Sequence, residues 1–222
     1  MADQEPAAEE FTAKWQRRWP EWGIAEAFVP AAQREIAVAW LSLQNELTEA
    51  AWGGEDPTPG LAKLAWWHEE LEGWAKGARR HPLGASLQRL PAPWTTLARA
   101  LSIFPSTRGQ DPATAQSALV GLADALDTCE AALLGDTRDS GAPATEATTL
   151  ALLGARALLT GSGEDAGWLL QRWPRGASGS RPGRLHRALL RGRLAGLVAG
   201  KQGRPLSGWR VLGASWRAVR GR

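Results

Sequence analysis

Cysteine, methionine and tyrosine are nearly missing from this 222-residue chain, which has one Cys, one Met and no Tyr. The single Cys129 cannot form an internal disulfide, so nothing indicates an oxidising compartment. No run approaches the roughly 18 apolar residues of a membrane-spanning helix, and the acidic residues 1–10 lack the apolar core of a secretory signal. We therefore expect a cytoplasmic protein. The charge pattern described next is also compatible with a peripheral position on the inner face of a membrane.

Acidic residues are absent from the C-terminal quarter of the chain. Residues 166–222 hold 13 basic residues and no acid, a charge of +13, whereas residues 1–165 hold 13 basic and 23 acidic residues, a charge of −10. Such a split indicates an anionic partner for the basic part, an acidic face elsewhere, or both. The candidate residues for binding an anionic partner are Arg184, Arg187, Arg191 and Arg193.

Three interpretations of the basic region stay open. The first is an anionic membrane surface or a protein partner, with tryptophans as interfacial anchors. The second is a surface for diphosphate or nucleic acid, of which nucleic acid is unlikely because no recognised motif accompanies the charge. The third is an arginine-rich surface that the acidic remainder balances. The candidate anchors are Trp168, Trp173, Trp209 and Trp216.

Helical periodicity runs through the chain, and no segment alternates with the period of two that is typical of strands. The pattern predicts an all-α bundle of about eight to ten helices. Most of the thirteen tryptophans are expected in its core. The predicted organisation is a disordered acidic tail (1–10), a helical domain (11–173), a flexible basic linker (174–183) and basic C-terminal helices on the same domain (184–222).

Several segments in this order resemble the squalene/phytoene synthase family of all-α isoprenoid synthases. The similar segments are RWPEW (18–22), FVPAAQREIAVAW (28–40), LAKLAWWHEEL (61–71) and HPLGASL (81–87). The resemblance implies an isoprenoid-synthase-like fold with a central cavity for an isoprenoid or another lipid. For this cavity, Trp40, Leu43 and Trp67 are the candidate lining residues.

Active members of that family carry two aspartate-rich motifs whose carboxylates, one helical turn apart, hold Mg²⁺ against a diphosphate. Here the first helix offers only Glu46 and Glu49, and the later one offers Asp124 and Asp127, followed by Glu130; both sets are spaced by three residues rather than four. These acids are either substitute magnesium ligands or ordinary solvated helix positions.

Hydrolase, zinc and nucleotide-binding loop motifs are absent from the sequence. The resemblance, combined with the missing aspartate-rich motifs, implies a degenerate, non-catalytic squalene/phytoene synthase-like protein that binds an isoprenoid, another lipid or a protein partner near a membrane surface. The alternative is an active transferase that condenses prenyl diphosphates with Mg²⁺. A third option is an all-α scaffold whose resemblance is limited to the fold.

Overall fold

The computed structural model describes residues 4–135, 144–174, 178–201 and 203–220, and this part of the chain is helical without any strand. The all-α prediction is confirmed. Its eleven α-helices are α1 (Gln4–Arg18), α2 (Trp22–Ala25), α3 (Arg34–Trp52), α4 (Thr58–Ala75), α5 (Gly84–Leu87), α6 (Trp94–Ala100), α7 (Pro112–Leu134), α8 (Ala144–Thr160), α9 (Gly163–Arg172), α10 (Arg181–Val198) and α11 (Gly208–Arg220). Three 3₁₀ segments lie at Glu26–Phe28, Ala31–Gln33 and Leu101–Thr107.

Several helices begin where the sequence offers a side-chain acceptor followed by proline. Before α7, the Asp111 carboxylate accepts the backbone N–H groups of Ala113 and Thr114, both at 3.0 Å, and Pro112 takes the first helical position. Before α10, the Ser180 hydroxyl accepts the N–H of Gly183 at 3.1 Å. Both arrangements satisfy N–H groups that have no partner inside the helix.

Helix α3 lies at the centre of the bundle, where it packs against α1, α4, α7 and α8. Its residues Trp40, Leu43 and Leu47 are almost completely buried, and apolar or small residues cover most of its circumference. A helix that is apolar nearly all round belongs in the interior.

Tryptophan rings connect α3, α4 and α6. Trp74 lies edge-on to Trp94 at 5.0 Å between ring centroids and to Trp67 at 6.3 Å, and Trp94 lies 6.5 Å from Trp40. Edge-to-face pairs add to the large apolar area that each ring buries. The prediction that tryptophan mainly fills the core therefore holds for these helices.

The N-terminal segment differs from the prediction of a disordered tail, because α1 begins at Gln4. Residues 1–3 of that tail lie outside the described residues. Later in the same helix, Trp15 is 1% exposed and Phe11 packs against the core. These two anchors hold a helix whose first turns tolerate acidic residues, since negative charge is favourable near a helix N-terminus.

The predicted flexible linker, residues 174–183, is also wrong for its second half. Ser178 and Ser180 are 4% and 1% exposed, and α10 already begins at Arg181. The buried Glu130 carboxylate fixes this turn by accepting the N–H and the hydroxyl of Ser180, at 3.2 and 2.6 Å. Residues 175–177 lie outside the described part of the chain.

Helices α10 and α11 pack against each other and complete the bundle. Helix α10 also contacts α8 and α9, while α11 contacts α2. Among the helices that the structure describes, none is both long enough and apolar enough to cross a membrane.

Candidate functional site

The predicted metal ligands on α3 are engaged by basic side chains. Glu46 is 4% exposed, and its carboxylate pairs with Lys14 at 2.9 Å and with Lys63. Glu49 pairs with the same Lys14 at 3.0 Å and with Arg18. Burial alone would raise the pKa of Glu46, but hydrogen bonds from both lysines lower it below its usual value.

The predicted acids on α7 differ in exposure and in hydrogen-bond partners. Asp124 is exposed, whereas Asp127 is half-buried and accepts the Thr148 hydroxyl at 2.6 Å. Burial raises the pKa of Asp127 to about 6. Glu130 accepts the indole N–H of Trp40 at 3.1 Å in addition to its two bonds from Ser180.

No group of three or more acidic, histidine or cysteine side chains within the described ranges is arranged to hold a metal ion. The acids named from the sequence instead lie in ion pairs and in hydrogen bonds to the protein itself. The magnesium prediction gains no support from their placement.

The residues predicted to line a central ligand cavity fill the core instead. Trp40, Leu43 and Trp67 are each 0% exposed, and they line neither of the two cavities described below. The helical period predicted correctly that these side chains face inward, but it cannot distinguish a side chain that packs against others from one that borders an empty space.

Residues 61–71 and 81–87, two of the segments that resemble the synthase family, are held together by the buried carboxylate of Glu70, which we call the Glu70 clamp. Glu70 is 1% exposed and accepts the indole N–H of Trp74 at 2.8 Å and the backbone N–H groups of Arg80 and His81, both at 2.7 Å. Its carboxylate also pairs with the Arg80 side chain at 3.0 Å. One buried carboxylate thus closes the turn between α4 and α5.

His81 lies beside that clamp and is buried among aromatic rings. Its ring centroid is 4.5 Å from that of Trp67 and 4.4 Å from that of Phe11, and its Nδ1 accepts the N–H of Leu83 at 3.1 Å. Burial lowers the pKa of His81 to about 4, so the ring is neutral near pH 7. These contacts indicate a packing and capping role.

A cavity of about 60 Å³ lies between α1, α3, α7, α8 and α10. Trp15, Glu130 and His186 are among its lining residues, and the indole N–H of Trp15 and the Nε2 of His186 have no hydrogen-bond partner among the described residues. A space of this size holds a few water molecules, whereas drug-sized ligands occupy several hundred cubic ångströms. It is too small for an isoprenoid chain.

A much larger groove of about 720 Å³ runs between α10 and α11. We call it the α10–α11 groove. Its apolar lining includes Leu170, Trp173, Leu206 and Trp209, and no acidic residue of the described chain lines it. Its charged lining consists of five arginines, namely Arg184, Arg187, Arg191, Arg210 and Arg217.

Three of the four arginines predicted to bind an anionic partner line this groove. Arg184, Arg187 and Arg191 are three and four residues apart, so they share one face of α10. Arg193 lies on another face, where it pairs with Glu21 at 2.6 Å and lies over the ring of Trp19 at 4.0 Å.

The Arg193 pair has a structural role. Burial alone would raise the pKa of Glu21, but the hydrogen bonds from Arg193 and from the backbone of Leu206 lower it. Glu21 therefore connects α10 and the segment before α11 to the N-terminal part of the bundle. The Arg193 guanidinium already has an internal carboxylate partner, and Arg193 does not line the α10–α11 groove.

Helix α11 supplies two groove arginines that the sequence interpretation missed, Arg210 and Arg217. They lie seven residues apart, which places them on one face of the helix. Their spacing could have been read from the sequence. That this face lies opposite the arginines of α10 depends on how the two helices pack.

The outer surface of α11 carries an exposed apolar stripe, formed by Trp209, Leu212 and Trp216, which are 86%, 39% and 48% exposed. Their spacing of three and four residues aligns them along the helix. The Arg220 guanidinium lies over the Trp216 ring at 4.0 Å, so a basic group accompanies the end of the stripe.

The tryptophans proposed as interfacial anchors divide into two pairs. Trp209 and Trp216 are exposed, whereas Trp168 and Trp173 are half-buried and pack against the core. The exposed pair therefore suits contact with another surface, and the half-buried pair belongs mainly to the fold.

Comparisons of the chain with protein-family models, with curated proteins and with solved structures give no match.

Proposed function

We propose that the protein is a non-catalytic, squalene/phytoene synthase-like protein that lies on an anionic membrane surface and binds a lipid there through the face formed by α10 and α11. The observation that carries this proposal is the arginine-lined α10–α11 groove beside the exposed apolar stripe of α11.

The charge distribution supports attraction to an anionic surface. Residues 178–220 contain ten basic residues and no acid. Each basic residue close to an anionic membrane surface contributes about 1 kcal/mol of attraction, and salt screens this contribution. The basic face therefore provides long-range attraction and orients α11 toward the lipid.

The apolar stripe supports shallow insertion. Large apolar side chains gain about 1.5–3 kcal/mol each when they move fully from water into an apolar environment. Tryptophan suits the head-group region because its ring is apolar and its N–H can remain hydrogen-bonded. Helix α11 combines such a stripe with basic neighbours, the usual composition of an interfacial helix.

We propose that the protein is non-catalytic because three of its candidate metal-binding acids are already bonded to other residues of the protein. Glu46 and Glu49 both pair with Lys14, and Glu130 is hydrogen-bonded to Trp40 and Ser180. Recruiting these carboxylates to a diphosphate-bound metal would require breaking contacts that hold α1, α3 and α10 together.

Co-sedimentation with lipid vesicles tests the membrane proposal. We expect the protein to sediment with phosphatidylcholine vesicles that contain phosphatidylglycerol, and to be released by high salt. The double substitution Leu212→Ser and Trp216→Ser should weaken binding by roughly tenfold or more, because it removes two apolar contacts.

The matched control replaces two exposed apolar residues that lie away from α11. Leu61 is 45% exposed and Val120 is 50% exposed. The double variant Leu61→Ser and Val120→Ser should bind vesicles as the unchanged protein does. Failure to sediment with anionic vesicles at low salt, or equal weakening in both double variants, would refute the proposal.

A further inference from the structure

We infer that the α10–α11 groove specifically binds one molecule of a phosphomonoester lipid, namely phosphatidic acid. The arginines hold the phosphate, and the apolar wall of the groove holds the start of the acyl chain. This inference rests on the proposed function and deepens it, because it distinguishes a built head-group site from general attraction to a charged surface.

Two groove arginines have their full hydrogen-bonding capacity available. Arg191 on α10 and Arg210 on α11 are exposed, and their side chains make no hydrogen bond or ion pair with any other described residue. A guanidinium offers five donors in a planar fork that matches two oxygens of a phosphate. Because the two residues come from different helices, a phosphate between them would be contacted from both sides.

Two further arginines are partly committed to the protein backbone. Arg187 donates one N–H to the carbonyl of Ser178, and Arg217 donates its Nε–H to the carbonyl of Gly213 at 3.1 Å. Each guanidinium retains other donors while this bond restricts its movement. Restricted donors lose less conformational entropy when they bind a ligand.

Arg184 has a different task at the base of the groove. It is 4% exposed and donates to the carbonyls of Gly179 at 2.6 Å and Ala218 at 3.3 Å. These bonds connect the start of α10 to the end of α11. We assign Arg184 the role of holding the two helices at the distance that the groove requires.

The remaining lining explains why the ligand is an amphiphile and not a free anion. Leu170, Trp173 and Leu206 form an apolar wall of the groove. Small residues such as Ala188 and Ala214 leave space along it. The volume of about 720 Å³ lies within the range of about 300–1,000 Å³ that is typical of small-molecule sites. It suits a phosphate head group with the first part of a chain.

The charge of the lining favours a doubly charged head group. Five arginines line the groove, and no acidic residue of the described chain faces them there. A phosphomonoester carries more negative charge near pH 7 than a phosphodiester does and presents three terminal oxygens. Charge-assisted bonds from several guanidinium groups therefore select it over a zwitterionic or singly charged head group.

Titration calorimetry with short-chain lipids that stay monomeric tests this site without a membrane surface. The ligands are dihexanoyl phosphatidic acid, dihexanoyl phosphatidylglycerol, dihexanoyl phosphatidylcholine and inorganic phosphate. We expect the phosphatidic acid to bind at least about tenfold more tightly than each of the others. Inorganic phosphate binding as tightly as the phosphatidic acid would overturn the lipid assignment.

The variant Arg191→Ala with Arg210→Ala should weaken phosphatidic acid binding by about tenfold or more. Its matched control is Arg17→Ala with Arg89→Ala, which removes the same charge at two other exposed positions and should leave binding unchanged. Circular dichroism checks that all variants remain helical. Equal effects in the two double variants would overturn the site and leave only non-specific attraction.

The two proposals fail separately. Leu212 and Trp216 do not line the groove, so their substitution should reduce vesicle binding and leave the binding of monomeric phosphatidic acid unchanged. Monomer binding without vesicle binding would reject membrane docking and keep the groove site. Vesicle binding without selective monomer binding would reject the groove site and keep membrane docking.

Discussion

Replacement of Glu70 by alanine should destabilise the protein more than the same replacement of its exposed neighbour Glu69. The Glu70 carboxylate is 1% exposed and accepts hydrogen bonds from Trp74, from two backbone N–H groups and from the Arg80 side chain. Removing the carboxylate leaves buried donors without their acceptor, and each such donor costs about 1–3 kcal/mol.

Water that enters the vacated space will satisfy some of these donors, so we expect a total loss of about 3 kcal/mol in the free energy of unfolding. For a domain of this size, that loss corresponds to a melting temperature lower by roughly 6–12 °C. Urea unfolding followed by circular dichroism provides the free energy, and thermal unfolding provides an independent value.

The neighbouring Glu69 is the control because it carries the same charge in the same helix. Its side chain is 69% exposed and lies 3.7 Å from Arg80. Exposed pairs contribute little, so Glu69→Ala should change stability by at most about 0.5 kcal/mol. Equal losses in the two variants would refute the claim that Glu70 closes the turn between α4 and α5.

Acid unfolding adds a test through the pKa of Glu70. Burial alone would raise this pKa, but the hydrogen bonds from His81, Arg80 and Trp74 lower it below its usual value of 4.5. Because the folded pKa is below the unfolded one, the stabilisation is present above about pH 4.5 and is lost as the pH falls through the folded pKa. The stability difference between the protein and its Glu70→Gln variant should therefore shrink below pH 4.5.

Two other predictions concern helix packing and the proposed lack of catalysis. Gly183→Ala should destabilise the protein by about 1–3 kcal/mol, because the added Cβ would overlap the buried carboxylate of Glu130. Gly121→Ala, at a position in α7 where the Cβ meets nothing within 4 Å, should instead stabilise the protein by up to about 1 kcal/mol. Urea unfolding measures both variants, and a Gly183→Ala variant more stable than Gly121→Ala would contradict the packing of α10 on Glu130. Incubation with farnesyl diphosphate and Mg²⁺ should release no diphosphate, and turnover that disappears on Glu46→Ala or Asp124→Ala would show that the acids serve as metal ligands.

The helices could be predicted from the sequence because their signals are local. Leu64, Trp67, Leu71 and Trp74 follow the helical period and are all buried in α4. The Asp111–Pro112 start of α7 likewise depends on residues that are adjacent in the chain. The four-residue helix α2 was not predicted.

The roles of individual charged residues could not be predicted, because they depend on contacts between distant segments. Arg191 and Arg193 look alike in the sequence, yet Arg193 meets Glu21, which lies 172 positions away in the chain. Glu130 looked like part of an exposed acidic face, but it is buried by the Ser178–Ser180 turn 50 residues later. Which basic residues stay available for a ligand is therefore decided by tertiary packing.

The groove shows the same division between local and tertiary information. The charge asymmetry and the tryptophans of α11 are visible in the sequence, and they predict an anionic partner. The presence of Arg191 and Arg210 in one groove requires the packing of α10 against α11. The sequence indicated the kind of partner, and the groove that we propose for it becomes visible only in the structure.

Hydrogen exchange with and without anionic vesicles tests the central claim most directly, because it locates the surface that meets the lipid. We expect slower exchange in the amides of α11 and of the adjoining face of α10, with α4 and α7 unchanged. The Leu212→Ser and Trp216→Ser variant should lose this protection in α11. Protection centred on α4 or α7, or no protection anywhere when vesicles are present at low salt, would contradict the claim.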